Sequence, residues 1–322
     1  MRKKAILIMI CSGTVLFYSC NENLNPYGEF KDQYVLSCVV RADTSFQVAY
    51  LTKNYVTQDF NAYSNTVDPA IKNATIRIWN GDDTVAIMRD TSIARPAGSS
   101  YLTPYSAYYT KNFKPSPNSV ISIEALLPNG KRLTSTSTVP SSIRFDAANT
   151  DTLVPPANKS YFKYAWNTYQ KNPVFITRVG IYYLKDENNQ KVRHDYIVPL
   201  SYTDFNGTRQ PVYPSPISTT GYSVDMGVMN TAMKMLSDGD SNKSGYQILA
   251  CIIEVLSLDV NLSVYYNATA RGTDIYSVKL DETDYSNISG GLGMFGIYIK
   301  NQHAIRISSD YIRSFGYTPA LQ

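Results

Sequence analysis

Val120-Ile121-Ser122-Ile123-Glu124-Ala125-Leu126, a turn at Pro128-Asn129-Gly130-Lys131, and a return over Arg132-Leu133-Thr134-Ser135-Thr136-Ser137-Thr138-Val139 decide the fold class. Apolar residues alternate on both arms, and Asn-Gly supplies the backbone freedom that a tight hairpin turn requires. This is a β-hairpin. A second is expected over Thr75–Trp79 and Thr84–Met88, turned by Gly81-Asp82-Asp83.

Upstream, Tyr34–Val40 and Phe46–Leu51 are β-rich runs parted by Ala42-Asp43-Thr44, and a long polar loop fills Asn54–Pro69. Arg95–Pro117, rich in Pro, Ser and Tyr, is expected to hold one more strand plus irregular loop. Short strands at regular spacing predict an immunoglobulin-like β-sandwich over residues 33–140, closed by Pro140.

Residues 141–322 are expected to form a second β-rich domain with one or two short helices. Its strands are predicted at Ile143–Phe145, Tyr161–Trp166, Val174–Leu184, Val192–Leu200, Tyr276–Leu280, Phe295–Lys300 and Ala304–Ile307, with Tyr246–Leu256 central because it is almost continuously apolar. Pro211–Gly221 is expected to be loop. Met226, Met229, Met233 and Leu236 recur at helical spacing behind a capping Asp225, and Asp259–Arg271 predicts a second helix ending at Gly272. The methionine stripe reads as core. Twenty-seven tyrosines, with many Thr, Ser, Val and Ile, favour strands throughout.

The first twenty residues set the habitat. Arg2, Lys3 and Lys4 precede the apolar run Ala5–Tyr18, which suits a signal peptide (1–19) better than a membrane span, and the run closes at Ser19-Cys20. A small residue before cysteine resembles the lipobox of bacterial lipoproteins, although Phe17 and Tyr18 are bulkier than that pattern. The resemblance implies acyl chains on Cys20 as the mature first residue, with several chains holding where one is marginal. Plain secretion after cleavage nearby is the alternative. A polar tether, residues 20–32, follows with Pro26 and Gly28.

Loss of the leader removes three cations and no acid, lowering the formal charge from +4 to +1. No basic block remains that would mark a nucleic-acid partner. Cys11 leaves with the leader, so Cys38 and Cys251 are the remaining thiols, both in strand-like apolar stretches; this is no disulfide scaffold.

Candidate chemistry is sparse. Gly291-Leu292-Gly293-Met294-Phe295-Gly296 spells GxGxxG, but a strand follows where phosphate binding needs a helix, so the glycines read as close backbone approach or positive φ. Asp238-Gly239-Asp240-Ser241-Asn242-Lys243-Ser244 has the alternating oxygens of a calcium loop, yet Lys243 and Leu249 stand where Gly and Glu belong. His194 and His303 are the only histidines, which excludes a multi-histidine metal site, and Asp281, Glu282 and Asp284 are adjacent loop carboxylates. No metal, no cofactor and no catalytic residue are assigned. Tyr101, Tyr105, Tyr108 and Tyr109 form the densest aromatic cluster and are the candidate ligand or partner contacts.

Four segments together carry a family resemblance: Tyr34–Val40 near the anchor; Asn73–Ile78 with its hairpin; Asn129-Gly130-Lys131 before a Thr/Ser-rich strand; and Ser286-Asn287-Ile288-Ser289-Gly290-Gly291-Leu292-Gly293-Met294-Phe295-Gly296. Over nearly the whole mature chain the sequence resembles the Bacteroidota lipoprotein family catalogued as domain of unknown function 4249, and the last segment is the most specific. The resemblance implies an outer-membrane lipoprotein, often encoded near TonB-dependent receptors, without established activity. The expectation is a non-enzymatic accessory or binding protein, lipid-anchored at the cell outer membrane on its surface or periplasmic side, whose two β domains bind such a receptor, a nutrient glycan or peptide, or another envelope protein. A secreted carboxylate-dependent hydrolase and a structural adhesin component are the alternatives.

Overall fold

Alternation in the opening hairpin places Ile121, Ile123 and Ala125 on one face, all fully buried, and the structure is built around that face. The structure, a computed structural model, describes residues 31–55, 64–81, 84–95, 97–99, 101–205, 208–237, 239–270 and 285–320. Contacts divide the chain into Met1–Asp32 and Gln33–Gln322, and the fold described is that of the second unit.

Seven strands come first: β1 (Tyr34–Arg41), β2 (Gln47–Lys53), β3 (Thr75–Asn80), β4 (Thr84–Ile93), β5 (Tyr105–Thr110), β6 (Val120–Leu126) and β7 (Arg132–Thr138). They pair in the order β1-β2-β5-β4-β3-β6-β7. β4 serves two layers: Thr84–Met88 pairs with β3, and Arg89–Ile93 with β5. The layers are therefore β1-β2-β5-β4 and β4-β3-β6-β7, the strand order of an immunoglobulin-type Greek key. Leu36, Leu51, Ile76, Ile78, Ile121, Ile123 and Leu133 fill the space between them.

The remaining strands are β8 (Arg144–Phe145), β9 (Leu153–Val154), β10 (Tyr161–Asn167), β11 (Val174–Glu187), β12 (Gln190–Val198), β13 (Ser201–Phe205), β14 (Thr208–Val212), β15 (Gly221–Asp225), β16 (Tyr246–Leu258), β17 (Leu292–Ile307) and β18 (Thr318–Pro319). The helices are α1 (Met226–Met235), α2 (Val260–Ala270) and α3 (Ser309–Ser314). The chain is mainly β. A long antiparallel ladder, β12-β11-β16-β17, is roofed on its inner face by β8-β10-β15 and α1. The Asp225 carboxylate accepts from the backbone N–H of Gly227 (2.7 Å) and Val228 (3.2 Å), and the stripe Met226, Met229, Met233, Leu236 is buried in the core beneath, as its spacing predicts.

The expected boundary near Pro140 marks a change of core, but the cores are not separate bodies. β17 pairs in parallel with β1, from Val35↔Leu292 to Arg41↔Tyr298, and antiparallel with β16. One face of this single strand buries Phe295, Ile297 and Ile299 in the first core and Ile305 and Ile307 in the second. Just before it, Thr134 and Ser289 exchange backbone hydrogen bonds of 3.0 and 2.8 Å, joining the sandwich's far edge to the same segment.

Further corrections concern single elements. The two strands expected at Phe295–Lys300 and Ala304–Ile307 are one, because the intervening polar residues find partners in the ladder and in the roof over it: the Gln302 amide donates to Glu254 of β16 at 2.6 Å and the His303 ring stacks on Phe145 of β8 at 5.0 Å. The hairpin β13–β14 and the helix α3 were not expected. The strand predicted at Tyr276–Leu280 and the helix end at Gly272 lie outside the described residues.

Candidate functional site

Strand alternation sorts the predicted tyrosine cluster. Tyr105 and Tyr109 of β5 face outward, whereas Tyr108 faces inward. Tyr108 is 1% exposed, donates its hydroxyl proton to the Ile71 carbonyl (2.8 Å) and accepts from the Ala74 N–H (3.1 Å), so it is a core residue and leaves the set of candidate contacts. Tyr105 packs on Tyr50 of β2, ring centroids 5.2 Å apart. The Arg95 guanidinium lies 4.6 Å from the Tyr101 ring centre and 5.2 Å from that of Tyr105, held there by the Thr103 carbonyl (2.9 Å) and the Asp68 carboxylate. Tyr109 meets Phe46 at 6.1 Å and carries Lys111 over its ring. The outer face of β2 and β5 therefore shows a half-exposed aromatic row, with Phe46 at one end and Arg95 as a clasp that the sequence did not single out.

The same sheet forms a groove at its other end, with a volume of about 410 Å³. Its floor is Ile176 and Arg178 of β11 with Ile197 of β12, and its walls are Tyr213, Pro214 and Tyr266 of α2. Arg178 stands directly across from Glu254 in the ladder. The Glu254 carboxylate is already engaged by Lys300 (3.3 Å) and Gln302 (2.6 Å), and Arg41 by Asp43 (2.8 Å). Arg178 has no ion-pair partner among the described residues. Its positive charge and that of Arg41 are felt at the Tyr298 hydroxyl, whose pKa burial raises and the two arginines oppose. A cation in the middle of the apolar run Val174–Leu184 was the sequence signal for this groove.

The other candidates resolve into structural roles or lie outside the description. Gly290 and Gly293 have φ of +83° and +118°, and a Cβ on either would fall on the Arg132 or Leu36 carbonyl oxygen. Gly293 of the GxGxxG spelling thus marks where β17 presses onto β1, and Gly290, just before that spelling, where the chain presses onto β7. Asn287 brackets this strand, its amide donating to the Phe295 carbonyl (2.6 Å) and accepting from the Phe295 N–H (2.8 Å). In the calcium-like loop, the Asp240 carboxylate accepts from the Asn242 N–H (2.9 Å) and the Tyr246 hydroxyl (2.9 Å); Asp238 lies outside the described residues. His194 bonds Glu187 at 3.0 Å and stacks on Tyr183. Cys38 and Cys251 are unbonded, each buried in a different core, and burial pushes both thiols up to about 12. Among the described residues no three His, Cys, Asp or Glu side chains gather as a metal site. Asp281, Glu282, Asp284 and Cys20 lie outside the described residues.

No family model matches this chain, and no curated protein does.

Proposed function

We propose that this protein is a non-enzymatic binding protein, anchored by lipid at Cys20 to the outer membrane and working beside another envelope protein such as a TonB-dependent receptor. The observation that carries the reading is the aromatic row Phe46, Tyr50, Tyr105 and Tyr109 on one sheet face, clasped by Arg95. Rigid rings on a strand give large contact area at low entropic cost, which is what a protein partner's anchor residues exploit. The leader ending at Ser19-Cys20 and the family resemblance support the location.

The test is affinity purification of the intact lipidated protein from its native envelope, with Tyr50→Ala and Tyr105→Ala variants beside it. A specific envelope partner should co-purify with the wild type and be depleted at least about fivefold in the variants, since an aromatic anchor typically contributes more than ~1 kcal/mol. Recovery of no envelope protein, or of the same proteins in equal amount from both variants, rejects this reading.

A further inference from the structure

We infer that the groove between β11, β12 and α2 is a second binding site, one for a carboxylate-bearing sugar such as a uronate residue of an oligosaccharide. Arg178 takes the carboxylate, and Tyr213 and Tyr266 hold the ring. The site is separate from the aromatic row of β2 and β5 and does not depend on what docks there.

Charge selects the ligand's sign. Three cations, Arg41, Arg178 and Lys300, lie on this stretch of the outer sheet face; Asp43 holds the first and Glu254 the third. Arg178 is left without an ion-pair partner among the described residues, so the groove presents one unmatched guanidinium. A planar fork of N–H donors matches a carboxylate in two parallel hydrogen bonds. Glu254, the nearest acid across the ladder, is 8% exposed and bonded to Lys300 and Gln302, which limits its repulsion of an incoming anion.

Shape and surface select the rest of the ligand. Tyr213 is 54% exposed and Tyr266 37%, and both line the groove. A ring with an apolar C–H face and a hydroxylated rim fits such walls, whereas an alkyl chain leaves the Arg178 guanidinium without a counter-charge. Ile176 and Ile197 give the floor its apolar patch, and about 410 Å³ lies in the range of small-ligand sites. Arg178 itself sits mid-strand, paired across the ladder with Glu254 of β16 and one residue before the pairing with β12 begins, the rigid placement that two parallel hydrogen bonds require.

The experiment is calorimetric titration of the full-length, detergent-solubilised protein with trigalacturonate, with its methyl ester, and with a short peptide bearing a free C-terminal carboxylate. Trigalacturonate should bind, the methyl ester at least about tenfold more weakly, and Arg178→Gln should lose at least about tenfold for the acid while keeping the wild-type melting temperature. Arg178→Lys should fall between, because an ammonium supplies charge without the fork. Equal binding of acid and ester, wild-type affinity in Arg178→Gln, or no binding of the trimer overturns the assignment. So does Arg178-dependent binding of the peptide alone, which would make this a peptide-terminus site. None of these outcomes bears on the envelope purification, whose failure is read separately.

Discussion

At the scale of the residue, the most constrained positions are those where β17 enters the sandwich. Gly293, at φ +118°, leaves no room for a Cβ beside the Leu36 backbone, whereas Gly98, at φ +87°, has nothing within 4 Å of where its Cβ would be. Both alanine variants meet the backbone strain of positive φ, about 1–2 kcal/mol. Only Gly293→Ala adds a clash with main chain, so it should cost about 3 kcal/mol or more in urea unfolding while Gly98→Ala stays near the strain value. Equal costs would show that the close approach does not matter. Asp259 is the second such position. Its carboxylate, 3% exposed, accepts from the Leu262 N–H (2.7 Å), the Ile297 N–H (2.9 Å) and the Ser137 hydroxyl, tying α2, β17 and β7 together. Desolvation outweighs those hydrogen bonds and raises its pKa from 3.8 to about 6. Between those values the folded state holds the proton more tightly than the unfolded state, so this group's contribution to stability falls as pH rises, by roughly 3 kcal/mol once pH is above 6. The stability of wild type relative to Asp259→Asn should therefore fall by about 2–2.5 kcal/mol from pH 4 to pH 7. A gap that stays constant would mean the carboxyl titrates normally.

At the scale of the element, what could be read in advance was what local pattern encodes. The hairpin β6–β7 shows period-two alternation and an Asn-Gly turn, and α1 shows its methionine stripe and its Asp225 cap, so both stand where the sequence puts them. Asp225→Ala should destabilise by ~1 kcal/mol in thermal or urea unfolding, since two backbone donors lose their acceptor. The parallel pairing of β1 with β17 was illegible because partners so far apart in sequence leave no local trace of each other. Asn301-Gln302-His303 was misread as a break because its polar side chains look like a turn until Glu254 and Phe145 are placed beside them. Tyr108 was the opposite case: adjacent residues on a strand face opposite ways, so Tyr108 and Tyr109 were never able to share a surface, and that parity was available from the start. Arg178 was visible as a lone cation within an apolar strand but acquires meaning only when Tyr213 and Tyr266 arrive from elsewhere in the chain. β17 also makes a prediction about cooperativity. Ile297 and Ile305 occupy the same strand but different cores. Ile297→Ala and Ile305→Ala should each cost about 2–5 kcal/mol and move one common unfolding transition. Two separately shifted transitions would show that the cores unfold independently.

At the scale of the whole molecule, the two remaining cysteines make the proposed attachment measurable. Cys38 and Cys251 are buried, with thiols pushed up to about 12, so at neutral pH they are protonated and shielded and will not react with an alkylating probe while the protein is folded. If the leader is removed with Cys11, the only other thiol the mature chain can offer is that of Cys20. Acylation blocks it. Native mature protein should then take up no alkylating label yet incorporate radiolabelled palmitate, and Cys20→Ser should lose palmitate and fractionate away from the membrane. The same variant should unfold at the wild-type midpoint, because Cys20 lies in the segment Met1–Asp32 and not in the unit Gln33–Gln322. A single alkylated thiol at Cys20 without palmitate would mean plain secretion, and a Cys20→Ser protein that still sediments with membranes would place the attachment elsewhere. The charge balance sharpens the result: with the leader gone the formal charge is +1, so electrostatic attraction to anionic lipid is too weak to mimic an anchor, and membrane association that survives high salt has to come from hydrocarbon.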